Sequence, residues 1–74
     1  MAVKANEKTQ LYIGKKLREL REEKKLSQES VADSVGISVT YYAGIERGEK
    51  NPTVAVIEEF CKLFKIQSSE MLPF

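Results

Sequence analysis

The stretch from Ser27 to Gly48 constrains this chain most. Ser27 is a natural N-cap, because a serine oxygen accepts a backbone N–H that the first helical turn leaves free. The apolar stripe Val31, Ala32 and Val35 follows. Gly36 ends the segment where left-handed backbone is usual. Ile37 is apolar inside the turn and is expected to point inward. Ser38 then caps a second segment, Val39 to Arg47, which stops at Gly48. The spacing predicts two short helices, 28–35 and 39–47, hinged on Gly36-Ile37-Ser38 and held at a steep angle. A pair with that geometry projects the first turn of its second helix outward, which is how such a unit enters a major groove of DNA. A generic helical hairpin also has a short turn with a glycine, so the spacing alone leaves both readings open.

The flanking segments are helical as well. Between Leu11 and Lys25 there is one glycine and no proline, and strong helix formers fill most positions. Ile13, Leu17 and Leu20 share one face of that helix. After the polar loop Glu49-Lys50-Asn51-Pro52, a fourth helix starts at Thr53, or at Asn51 with Pro52 in its first turn, and runs to about Phe64. A capped single turn over Ser68–Leu72 closes the pattern, followed by Pro73 and Phe74. Residues 1–8 are polar and aperiodic and read as a flexible arm. The expected fold is all-α, a compact bundle of five short helices containing a helix-turn-helix, with one domain over 9–74.

Composition narrows the function classes. With 42% hydrophobic and 31% charged residues the chain is too apolar to be disordered. At 74 residues its core is thin. No apolar run approaches the roughly 18 residues of a membrane span. The first residues lack the apolar core of a signal peptide. A lone cysteine, Cys61, suits a reducing cytosol, so a cytoplasmic location is expected. Histidine is absent, which removes imidazole acid–base chemistry, and one cysteine cannot build a structural zinc site. No phosphate-cradling glycine loop and no nucleophile–base pair stand out. An enzyme, a metal, a cofactor and a small-molecule ligand are therefore not expected. Net charge is only +1, so any DNA-binding charge has to be gathered on one face.

Several separated motifs then point one way. Leu17-Arg18-Glu19-Leu20-Arg21, Leu26-Ser27-Gln28-Glu29, Val31-Ala32, Gly36-Ile37-Ser38, Tyr41, Ile45-Glu46-Arg47-Gly48 and Asn51-Pro52-Thr53 stand in matching order and spacing. On these residues the chain resembles the Cro/C1-type helix-turn-helix family, with its lambda repressor-like DNA-binding domain, over about residues 11–72. The family includes phage repressors, antitoxin-like regulators and the controller proteins of restriction–modification systems. The short length looks most like a controller. The resemblance implies a transcription regulator that binds double-stranded DNA as a homodimer on a palindromic operator. The alternative, on the same fold, is an antitoxin-like or adaptor module that binds another protein.

The resemblance also implies roles. Ser38, Val39, Thr40 and Tyr41 in the first turn of the recognition helix, and Gly44 one turn on, match positions that reach base edges. None is an Arg, Asn or Gln able to make a bidentate base contact. Val39 and the Thr40 methyl suit thymine methyls, and discrimination is expected to lean on DNA shape and water. Gln28 matches a phosphate-binding glutamine at a helix start. Arg47 and Lys50, with Asn51 and Thr53 at the start of helix four, are placed to meet phosphates. Arg21 and Glu46 match a partly buried ion pair that joins helix one to the recognition helix. Tyr42 falls on the inward side, where the family usually has a smaller aliphatic residue, and its hydroxyl is expected to find a partner or the surface. Cys61 reads as core. Apolar residues cover about half of helix four, more than one small core needs. The surplus Val56, Phe60 and Leu63, with Met71, Leu72 and Phe74, is expected to form the dimer surface.

Overall fold

The computed structural model describes residues 7–73. They form α1 (Glu7–Glu23), α2 (Gln28–Val35), α3 (Val39–Glu46), α4 (Val54–Phe64) and α5 (Ser68–Met71). The fold is the all-α, five-helix arrangement that the sequence predicts. Of the expected arm over 1–8, residues 1–6 lie outside the described residues, while Glu7 and Lys8 belong to α1.

Hydroxyl caps set three helix starts. Ser27 Oγ accepts from the Ser30 N–H, Ser38 Oγ from Tyr41 and Thr53 Oγ1 from Val56, at 3.0, 3.1 and 3.2 Å. Thr53 is thus the N-cap of α4, and Pro52 is buried just outside the helix. At α5 the Glu70 carboxylate accepts from the Gln67 N–H at 3.0 Å, so Gln67 is the N-cap of this single turn.

Four helix ends share one device. At each, a residue in left-handed backbone sends its N–H back three positions, and the next residue sends its N–H back five. The left-handed residues are Lys25, Gly36, Gly48 and Lys65. The five-residue bonds run from Leu26 to Arg21, Ile37 to Ala32, Glu49 to Gly44 and Ile66 to Cys61, all between 2.9 and 3.0 Å. This pattern satisfies carbonyls that a helix end would otherwise leave free. Leu26, Ile37 and Ile66 then tuck against the core. Lys25 takes this backbone without being a glycine, so the end of α1 at Glu23 has no glycine to mark it in the sequence.

The core lies where α1, α2, α3 and α4 meet. Ile13, Leu17 and Leu20 of α1 face Tyr42 and Ile45 of α3, with Val31 and Ala32 of α2, Phe60 and Phe64 of α4 and Met71 of α5 closing it. Tyr42 is fully buried, and its ring meets Phe60 edge-on at 5.8 Å and 64°. The Tyr42 hydroxyl is buried without a hydrogen bond, so it finds neither the partner nor the surface that the sequence suggests. Burial raises its pKa strongly, and the neighbouring Glu46 carboxylate adds to the rise. Gly14 allows α1 to cross the end of α3 closely. A Cβ there would stand 2.5 Å from the carbonyl oxygens of both Ile45 and Glu46.

Candidate nucleic-acid interface

The first turn of α3 is the exposed tip of the α2–α3 pair. Ser38, Val39 and Thr40 are all exposed, Val39 by 39%. Ser38 spends an oxygen lone pair on the helix cap, which leaves its hydroxyl hydrogen to donate outward. Tyr41 is half-buried, and its hydroxyl donates to the Asn51 carbonyl at 3.3 Å. The ring thereby braces α3 against the following loop. With its hydrogen spent, the Tyr41 oxygen suits a donor such as a base amino group rather than a phosphate oxygen.

Gly44 does not stand where a base is reached. It is buried under the Lys50 side chain, whose Cγ lies 2.7 Å from a Cβ added at Gly44. Its carbonyl accepts the N–H groups of Glu49 and Lys50 at 2.9 and 3.3 Å. Gly44 therefore seats the turn after α3, and the expected base contact is corrected to a structural role.

The basic residues flank that turn. Lys50 lays its aliphatic stem over Gly44 and is exposed. Arg47 is exposed and paired with Glu49 through two bonds of 3.0 and 3.2 Å. Glu49 is the polar counterpart of Leu26, Ile37 and Ile66 at the other helix ends, so it turns outward to Arg47 instead of inward. Asn51 and Thr53 are exposed at the start of α4, whose first N–H groups precede any intrahelical bond.

Behind the tip, one carboxylate gathers three helices. Glu46 Oε2 accepts from Arg21 Nε at 2.7 Å, and Oε1 accepts from Arg21 Nη2 at 3.2 Å. Arg21 Nη1 also donates to the Leu26 carbonyl at 3.0 Å. The two side chains are only 16% and 5% exposed. Gln28, at the start of α2, donates from Nε2 to Glu46 Oε1 at 3.2 Å. Burial opposes ionisation of Glu46, but Arg21, the Tyr42 hydroxyl and Gln28 together hold its pKa below the ordinary carboxylate range. The Arg21 pKa is raised, first by its bond to Glu46.

The expected dimer surface is partly corrected. Phe60 and Met71 are fully buried within the chain, so neither is available to a partner. Val56, Leu63 and Leu72 are half-buried against the core, and Phe74 lies outside the described residues. The exposed large apolar residue of α4 is instead Val54, at 74%, next to the half-buried Ile57 and Cys61. With Leu72 these residues line a groove between α4 and α5, rimmed by Glu58, Lys62 and Ser68. Cys61 packs half-buried against the core, as expected, and also lines the groove, and burial, with help from Glu70 and Glu58, raises its thiol pKa. The helical wheel shows the surplus of apolar residues on α4. It does not show which side α5 covers. Leu11 and Tyr12, exposed by 57% and 42%, also escaped the sequence reading.

Residues 17–71 match the helix-turn-helix family. The chain belongs to the Cro/C1-type helix-turn-helix family. It is a DNA-binding transcription regulator, in a family of regulators and not of enzymes. It is 39% identical over 62 residues to the control protein C.MunI of a Mycoplasma species, a match covering 82% of this chain and 84% of that one. To the control protein C.BamHI of Bacillus amyloliquefaciens it is 35% identical over 65 residues, 86% of this chain and 80% of the relative. The crystal structure of the restriction-modification controller protein C.AhdI from Aeromonas hydrophila superposes with a TM-score of 0.79 at 35% identity. That likeness covers 85% of this chain and 96% of the controller. By contrast, the chain spans 51% of the CTXphi repressor RstR of Vibrio cholerae, to which it is 32% identical. Among the described residues no helix is long and apolar enough to cross a membrane.

Proposed function

We propose that this helix-turn-helix protein is a sequence-specific regulator that acts as a homodimer on a palindromic operator, as the controller protein of a restriction–modification system. The observation that carries the reading is the exposed first turn of α3, Ser38-Val39-Thr40, held out by the capped α2–α3 pair. The near full-length likeness to control proteins supports the controller assignment. Val39 and the Thr40 methyl pack on thymine methyls, and the Ser38 hydroxyl donates to a base edge or a phosphate. With no bidentate base reader on the helix, DNA shape and bridging water supply the remaining discrimination. Gln28, Arg47, Lys50 and the N–H groups at the start of α4, beside Asn51 and Thr53, take the phosphates on either side.

One recognition helix reads only a few base pairs, so two are needed for useful specificity. The groove between α4 and α5 suits the pairing of two copies. Val54, Ile57 and Leu72 supply apolar surface, and Glu58 and Lys62 supply opposite charges that a two-fold axis brings together. Titration of a duplex at increasing salt tests DNA binding itself. If each dimer neutralises about six to eight phosphates, log K falls against log salt with a slope near −5 to −7. A slope near zero contradicts the reading.

A further inference from the structure

An ion pair between Arg21 and Glu46 needs only those two residues, yet Glu46 takes a third donor. Its Oε1 accepts from Gln28 Nε2 at 3.2 Å as well as from Arg21 Nη2 at 3.2 Å. Glu46 closes α3, the recognition helix, and Gln28 opens α2. The carboxylate is itself fixed from α1, by the 2.7 Å bond from Arg21 Nε. A primary amide carries two N–H groups in one plane, so holding one sets the direction of the other. Ser38, Val39 and Thr40 have no amide or carboxylate that holds Gln28 from the near end of α3.

We propose that Glu46 is a positioning residue for the DNA phosphate contact of Gln28. Through it the amide at the start of α2 is ordered before DNA arrives and kept in register with the recognition helix. The ordering is completed on folding instead of being charged against binding. This inference rests on the reading of Gln28 as a phosphate contact.

The test compares Gln28→Ala in the natural chain and in an Arg21→Met/Glu46→Met background. The double replacement removes the buried pair without stranding a charge. Because phosphate contacts carry no sequence information, a mixed-sequence duplex of about 30 base pairs is a sufficient probe. In the natural chain Gln28→Ala is expected to weaken binding about tenfold, in line with one hydrogen bond to a charged group. The salt slope stays unchanged, because a neutral amide displaces no counterion. In the methionine background the same substitution is expected to cost less than about twofold, since the amide is no longer held.

An equal loss in both backgrounds overturns the positioning role and leaves the phosphate contact standing. No loss in the natural chain overturns the phosphate contact, and the positioning role with it. A flattened salt slope in the methionine background assigns the loss to a displaced recognition helix and also overturns the proposal. A second measurement needs no variant. In the free protein the Gln28 side-chain amide, followed by NMR relaxation, is expected to be as ordered as the backbone of α2. A freely rotating amide overturns the proposal.

Discussion

Gly14 of α1 sits against the backbone of Glu46 so closely that a side chain of any size collides with it, a Cβ standing 2.5 Å from the Glu46 carbonyl oxygen. The crossing places Arg21, two turns further along α1, against the Glu46 carboxylate. The backbone contact and the ion pair thus fix the same helix crossing, and with it the angle at which α3 leaves the body.

Gly14→Ala is expected to destabilise the protein by about 1–3 kcal/mol, the usual cost of forcing a methyl into a packed contact. Chemical denaturation of the purified variant measures it. Helix propensity alone favours alanine, so a stabilised variant contradicts the close crossing.

Glu46→Ala leaves Arg21 without its partner and is expected to cost about 3–5 kcal/mol, because the remaining charge is largely buried. Thermal stability equal to that of the natural chain refutes this. The pH dependence follows from the lowered Glu46 pKa. The unfolded chain binds the proton at a higher pH than the folded one, so the ionised pair contributes fully above the ordinary carboxylate range. That contribution is lost as pH falls through the lowered value of the folded state. The stability gap between the natural chain and Arg21→Met/Glu46→Met should therefore change in the acid range and stay constant above it.

Arg47 and Lys50 are expected to act on DNA through charge. Arg47→Ala and Lys50→Ala should each weaken binding evenly across sequences and reduce the salt slope by about one per subunit. Arg47 is held by Glu49, so Glu49→Gln is expected to strengthen binding by freeing the guanidinium. Binding titrations at several salt concentrations check all three.

The two sides of α4 separate core from partner surface. Phe60→Ala is expected to cost about 3–5 kcal/mol of stability, as for a buried phenylalanine. Val54→Glu should leave the chain folded, since Val54 is 74% exposed, and shift it from dimer to monomer in sedimentation velocity. A Val54→Glu variant that stays dimeric moves the interface away from the α4–α5 groove.

Much of this architecture was legible in the residues. Ser27, Ser38 and Thr53 announce their helices because a hydroxyl cap is a local event, settled within three residues. Gly36 and Gly48 announce the ends of α2 and α3 for the same reason. The end of α1 has no local signal, because Lys25 takes left-handed backbone without being a glycine. What tertiary packing decides was less visible. Phe60 and Met71 look like surplus apolar residues until Phe60 meets Tyr42 of α3 and Met71 joins the same core, while Val54 is left outside. Gly44 matches a family position that reaches base edges, but here the returning Lys50 side chain covers it. The bond from Gln28 to Glu46 joins residues far apart in the chain and had no local signal.

The most direct test of the central claim is selection of random double-stranded DNA by the purified protein at near-physiological salt, followed by sequencing. The account predicts an enriched inverted repeat whose half-site centres lie about 34 Å apart, one helical turn, with thymines where Val39 and Thr40 pack. No enrichment by a folded, dimeric protein contradicts it and turns attention to a protein partner.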